Sequence, residues 1–293
     1  MQINATHYQL TFKQLVVLFF VLFLSSCDSP SPRHSIIAPV KISKENIITN
    51  RNIPETHKIF LARFLPEIHR ANNMLLEQRN SIFDLQDSLD ANDKLSSANI
   101  SELNKLLRRF RLDPLSTTPP PLPEDMNKSM EALLKRADII PVKLVMAQAI
   151  IESGWGSSHF ALEGNNYFGI HCYSKGCGMM PAGIDSATFF VKSYDSEIDG
   201  IIDYLRNLNT GRAYRELREI RLDLRNKDKD LDPLALAEGL ASYSEIGDAY
   251  IKMISNIIRN YIPANTEELL SGKFEENQSI RMSASPGSGV SAL

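Results

Sequence analysis

The sequence predicts a mainly α-helical domain with a small β-hairpin or loop lobe, set between an amino-terminal export segment and a carboxyl-terminal tail. Three observations carry that prediction. Apolar residues recur at helical spacing through most of residues 54–261. The period breaks around Asn165–Tyr194, where glycines at 164, 169, 176, 178 and 183 accompany Phe189-Phe190-Val191. At both ends of the chain, short apolar or Pro/Ser-rich stretches offer no amphipathic face. Hydrophobic residues make up 43% of the 293, and charged residues 23%, ordinary values for a chain with a buried core. A net charge of −3 gives no argument for nucleic acid as a partner. It sets no oligomeric state either.

Taken in order, residues 15–24 form an unbroken apolar run after Lys13. As a helix the run rises only about 15 Å, too short for a bilayer core of roughly 30 Å. A short apolar run behind a positive start reads as a secretory signal peptide over residues 1–26. It ends in Leu24-Ser25-Ser26-Cys27, which resembles the lipobox of bacterial lipoproteins. That resemblance implies cleavage before Cys27 and acylation of its thiol, with each buried methylene adding about 0.8 kcal/mol of membrane affinity. The competing reading is an ordinary signal peptide with an incidental cysteine. Asp28 resembles the inner-membrane retention signal of enteric-type lipoproteins. Residues 27–53, with Pro30, Pro32 and Pro39, read as a flexible tether.

From Pro54 onward, Phe60, Phe64, Ile68, Leu75 and Ile82 mark one long amphipathic helix, or two joined at Pro66. A second helix is expected over Ile100–Phe110, then a stiff connector from Thr117 to Pro123. These segments form a helical extension over residues 54–123. The main domain is expected over 124–265, opening with helices at Met126–Arg136 and Pro141–Ser153. Val142, Val145, Met146, Ala149 and Ile150 mark the latter as deeply buried. After the glycine-rich lobe, helices are expected at Ile198–Leu208, Tyr214–Leu222, Leu234–Tyr243 and Asp248–Tyr261. Residues 266–293 end in Ser-Ala-Ser-Pro-Gly-Ser-Gly-Val-Ser-Ala-Leu and read as a disordered tail. A cleft between the helical part and the inserted lobe is the natural place for a site.

One residue draws attention as a catalyst. Glu152 closes the apolar helix and is followed by Ser153-Gly154-Trp155-Gly156. Buried methyl groups, the tryptophan and the negative helix end would all disfavour its charged form, as a general acid near neutral pH requires. Gly154 and Gly156 permit a tight turn. Trp155 either stacks on a sugar ring or packs in the core. On spacing alone, a glutamate at a helix end is more often a solvated cap.

Residues 144–170 contain Ala147-Gln148, then Glu152-Ser153-Gly154-Trp155-Gly156, then Asn165-Asn166-Tyr167-Phe168-Gly169-Ile170. In this order they resemble the core motif of the peptidoglycan glucosaminidases, glycoside hydrolase family seventy-three. Phe190–Ser196 and Gly239-Leu240-Ala241-Ser242-Tyr243 supply two further matches, with Tyr250 in place of the second region's other tyrosine. Arg136–Pro141, His171-Cys172 and Gly176-Cys177-Gly178 narrow the resemblance to the Bax protein branch. It covers residues 54–263 and implies a lysozyme-like (α+β) fold, mainly α. It further implies cleavage of the β-1,4 bond after N-acetylglucosamine in cell-wall glycan, with Glu152 as the acid and peptidoglycan strands as the partner.

The second catalytic group is open at this stage. Two-carboxylate glycosidases need a partner across the scissile bond. Asp185 in the inserted lobe is one candidate, against a plain exposed loop aspartate. Substrate-assisted chemistry is another, with Tyr243 orienting the acetamido group. Trp155, Asn166, Tyr167 and Phe168 are candidate substrate contacts, and Asn165 and Asn166 fit better as braces of the lobe through side-chain hydrogen bonds than as reacting groups. Cys172 and Cys177 would suggest metal or redox chemistry in a cytosolic chain; behind an export signal, a structural disulfide fits better. His159 and His171 lie nearby without a zinc-ligand pattern, so neither metal nor cofactor is expected. The alternatives are a lytic transglycosylase, or a non-catalytic glycan-binding envelope lipoprotein.

Overall fold

The computed structural model describes residues 40–181, 188–241 and 247–271. The expected signal peptide, Cys27, Asp28, Asp185 and Tyr243 lie outside them, as does the tail beyond Ser271. Helix α1 spans Glu55–Asn92 and passes through Pro66 without a break. A proline inside a helix costs about 3 kcal/mol. Phe64, Leu65 and Ile68 around it are each 0% exposed, and each contributes roughly 1.5–3 kcal/mol by burial. Burial wins, so one helix forms where the sequence allowed two. Helix α2 (Ser97–Arg109) starts from Ser96, whose hydroxyl accepts from the Asn99 amide. Helix α3 (Pro123–Arg136) takes Pro123 as its first residue, where a missing N–H is harmless, so the expected connector ends one residue earlier.

Helix α4 (Val142–Ser153) is buried on nearly every side, with Leu144 through Ala149 all at 0% exposure. That follows from a sequence apolar all round. Its lead-in, residues 137–140, is buried backbone that needs partners. Arg79 of α1 donates to Leu134 O and Ala137 O. Arg221 donates to the carbonyls of Lys135, Arg136, Asp138 and Ile139. The orphan carbonyls at the end of α3 are thereby capped by guanidinium groups. Asn72 of α1 pairs with both the carbonyl and the amide of Ile140. Asp138, 2% exposed, supplies the countercharge through a two-pronged bond to Arg225, with Arg79 and Arg221 within 4 Å. Burial pushes its carboxyl up; Arg221, Arg225 and Arg79 outweigh that and hold it down at about 2.

After α4 and the short helix α5 (His159–Gly164) comes the small lobe. It is a three-stranded antiparallel sheet of β1 (His171–Cys172), β2 (Gly178–Met179) and β3 (Phe190–Lys192), with β3 in the centre. Register places Cys172 opposite Phe190 and Gly178 opposite Lys192. A side chain at Gly178 would lie 2.0 Å from the Val191 carbonyl, so glycine is required there. Cys172 and Cys177 are disulfide-bonded, closing the β1–β2 loop. Asn165 and Asn166 tie this sheet down: Asn165 donates to Tyr194 O, and Asn166 to Ile170 O and Lys192 O. Asp203 accepts from Lys192 Nζ and Tyr194 Oη, pinning the far side.

The chain finishes with α6 (Glu197–Thr210), α7 (Arg215–Asn226), α8 (Pro233–Glu238), α9 (Asp248–Tyr261) and α10 (Thr266–Leu270). The helix expected over Leu234–Tyr243 is shorter, ending at Glu238 with Gly239 as its cap; Gly239 packs against Leu217 with no room for a Cβ, at 2.4 Å from its backbone. Two further boundaries move. The expected tether ends before residue 53: Lys44–Asn46 form a 3-10 turn, Ile47 and Ile53 are buried, and Asn50 and Arg51 bond the carbonyls of Arg259 and Asn260 at the end of α9. The expected tail begins with α10, whose Thr266, Leu269 and Leu270 are buried. In both cases a few apolar residues outweigh a polar, loop-like composition. The described chain is thus mainly helical with one small sheet after α4, in keeping with the lysozyme-like expectation.

Candidate active site

Glu152 occupies the last turn of α4 and is partly exposed. The Tyr250 hydroxyl, from the first turn of α9, donates to Glu152 Oε1 at 2.8 Å. Gln148 lies one turn before Glu152 on the same face, and its Nε2 donates to Tyr250 Oη at 3.4 Å. Gln148 is 0% exposed and Tyr250 3%, so the pair forms a rigid support under the carboxyl. Tyr214 faces the same group. Burial first, and the Glu152 charge second, push its phenol up to about 12. Tyr214 therefore stays a neutral hydroxyl under any working condition.

Beyond Glu152 the helix stops through an unusual turn. Gly154, Trp155 and Gly156 all have positive φ, at 58°, 61° and 73°. Two of the three are glycines, for which this is free; at Trp155 it costs about 1–2 kcal/mol. Ser153 secures the turn, its hydroxyl donating to Ala149 O and accepting from Gly156 N. A Cβ on Gly156 would meet Phe60 of α1 at 2.8 Å, so the turn sits directly against that helix. Rings hold Trp155 on several sides. His57 stacks flat on it, with centroids 3.9 Å apart and planes 5° apart, while Phe60 and Tyr261 meet it edge-on. Such contacts give about 0.5–1.5 kcal/mol each, enough to offset the backbone strain.

Several sequence expectations change here. Asn166, Tyr167 and Phe168 are 2–3% exposed and cannot meet a polymer directly. Asn166 spends its amide and carbonyl on the lobe; Tyr167 donates to Glu197 and packs on Phe64; Phe168 stacks on Tyr204 at 3.9 Å. Their place is beneath the site. Trp155 is half-buried, with its ring engaged by protein. Asp185 and Tyr243, the two candidate partners of Glu152, lie outside the described residues. The sequence places Tyr250 in the motif without giving it a role. Its signal was legible: Tyr250, Ile254 and Ile258 share one buried face of α9. Gln148 was legible from its place four residues before Glu152 on one helix; Tyr214 and His57 carried no such signal, because each comes to the site only through packing. Among the described residues, no group of three or more His, Cys, Asp or Glu side chains could hold a metal.

Residues 127–262 match the glucosaminidase family, described as mannosyl-glycoprotein endo-beta-N-acetylglucosaminidase. That matched region covers 136 of the 293 residues (262 − 127 + 1). It is also similar to Protein bax of Escherichia coli (strain K12), 30% identical over 193 residues, which span 66% of this chain and 65% of that protein. This likeness agrees with the branch named from the motifs around Glu152. No solved structure matches the chain. Helix α1, which supplies His57, Phe60, Asn72 and Arg79, lies wholly before the region matched to the family.

Proposed function

We propose that this protein is a peptidoglycan hydrolase that cleaves the β-1,4 glycosidic bond after N-acetylglucosamine, with Glu152 as general acid. The observation that supports it best is the carboxyl of Glu152, held by Tyr250 at the end of a buried helix within a glucosaminidase-family domain. In this reading Glu152 protonates the leaving sugar oxygen, while Tyr250 and Gln148 fix the carboxyl's direction. That alignment converts a mobile acid into a positioned one. The water-activating or nucleophilic partner is Asp185 or the substrate's own acetamido group, the latter oriented by Tyr243. The chain acts outside the cytoplasm, anchored through acylated Cys27 to the inner membrane, on the same side as its substrate.

The test is digestion of purified peptidoglycan by the full-length protein in detergent, beside Glu152→Gln, with new ends identified by mass spectrometry. Reducing N-acetylglucosamine ends from the wild type alone support the reading. Anhydro ends would mean a lytic transglycosylase, and equal activity of the two proteins would remove Glu152 from the mechanism. Binding without products favours a non-catalytic role. Asp185→Asn is expected to be milder than Glu152→Gln; an equal loss would make Asp185 the essential partner. Labelling cells with a fatty-acid probe, with Cys27→Ala as control, checks the anchor.

A further inference from the structure

We propose that His57, on a helix outside the family-matched region, is a positioning residue for Glu152, acting by clamping Trp155 and with it the left-handed turn that ends α4. The inference rests on the hydrolase reading of Glu152 but draws on separate observations. Glu152 and Trp155 are three residues apart across a turn in which every residue from 154 to 156 has positive φ. Such a turn holds one shape only when its surroundings fix it. Ser153 ties its backbone from inside. The side-chain hold comes from outside the catalytic helix, and the flat 3.9 Å stack with His57 is its closest ring contact.

His57 is itself well placed to be rigid. It lies in the first turn of α1, its amide bonded to Pro54 O, and Phe60 one turn later fills the space beneath Gly156. The first turn of a 38-residue helix therefore serves as a fixed wall for the turn. Its ring is partly buried, and burial lowers its pKa, which disfavours the charged imidazolium. Nothing in the arrangement brings His57 into hydrogen-bonding contact with Glu152; it works through Trp155. Losing the stack leaves the fold in place but lets the carboxyl wander, which harms turnover more than binding.

The experiment uses the full chain with His57→Ala and His57→Phe, read by glycan digestion and by the emission of Trp155, the single tryptophan. His57→Ala is expected to lower kcat about tenfold, with KM within about twofold and a Tm close to wild type. Phe, which keeps a flat ring, restores kcat to within about threefold of wild type. Emission moves to longer wavelength in the Ala variant and returns with Phe. Wild-type kcat in His57→Ala overturns the proposal, as does a loss that Phe fails to restore. A wild-type protein without hydrolytic activity instead defeats the reading of Glu152. The emission then decides alone: an unchanged Ala spectrum overturns the clamp, and a shift reversed by Phe upholds it.

Discussion

The two ends of helix α4 are built on opposite principles. Its amino end is preceded by four residues whose polar groups are met by Arg79, Arg221, Arg225, Asn72 and Asn209, around a carboxylate that is almost wholly buried. Its carboxyl end carries a partly exposed glutamate, a strained turn and a ring clamp in place of ion pairs. One helix reaches both. Phe60 and Asn72 of α1 are separated by about 18 Å of helix, close to the length of α4, and touch its two ends antiparallel. The difference teaches how a fold divides its polar groups. Dense pairing of polar groups fixes the helix in place at one end, and incomplete enclosure leaves a carboxyl open to solvent at the other.

The largest effect expected should separate the two ends. Glu152→Gln should lose about 10²–10⁴ in turnover while its thermal unfolding stays at the wild-type midpoint. Asp138→Asn should do the reverse, destabilising by about 3–5 kcal/mol because three guanidinium groups lose their countercharge; denaturant unfolding measures it. A drop in activity at full stability in Asp138→Asn would break the division. Acid should reach the same point. The folded pKa of Asp138, about 2, is below its usual 3.8. The unfolded state therefore binds the extra proton between these values, and the contribution, about 2 kcal/mol, is present above pH 4 and lost as pH falls toward 2. Unfolding curves across that window, with Asp138→Asn as control, show whether the slope belongs to this residue.

Smaller effects sharpen the carboxyl end. Removing the Tyr250 hydroxyl, as Phe, should lower turnover about 10–100-fold, the value of a hydrogen bond to a charged group. Steady-state kinetics on glycan should show it in kcat more than KM. Smallest is the double change Cys172→Ser with Cys177→Ser. Opening so short a loop should cost roughly 2 kcal/mol at most, with the helices melting as before. A loss of Glu152-dependent activity as large as that of Tyr250→Phe would show that the lobe, too, fixes the site.

How much of this was legible varies with the kind of interaction involved. Val142 through Ser153 announced a buried helix ending in an acid, since apolar residues on every side leave no solvent face. Asn165 and Asn166 could be read as braces from residue type alone. Tyr167 and Phe168 could not be separated from substrate contacts, because an aromatic beside a glycine looks the same whether it faces solvent or the core. Ile47 and Ile53 were hidden among polar neighbours, too few to set up a period.

By itself, then, the sequence determined most of the helices, the inserted lobe, the place of Glu152 at the end of a buried helix and the resemblance of its motifs to a known family. These properties are local: periodicity, capping and ordered motifs need no knowledge of distant partners. Only the tertiary structure decided what surrounds the acid. Tyr250 lies 98 residues from Glu152 and meets it through the packing of α9 on α4. His57 and Arg79 act on opposite ends of one helix because α1 lies along it. The sequence encodes each of these residues but not their meeting, which arises from burying apolar faces together and cannot be read before that burial is solved.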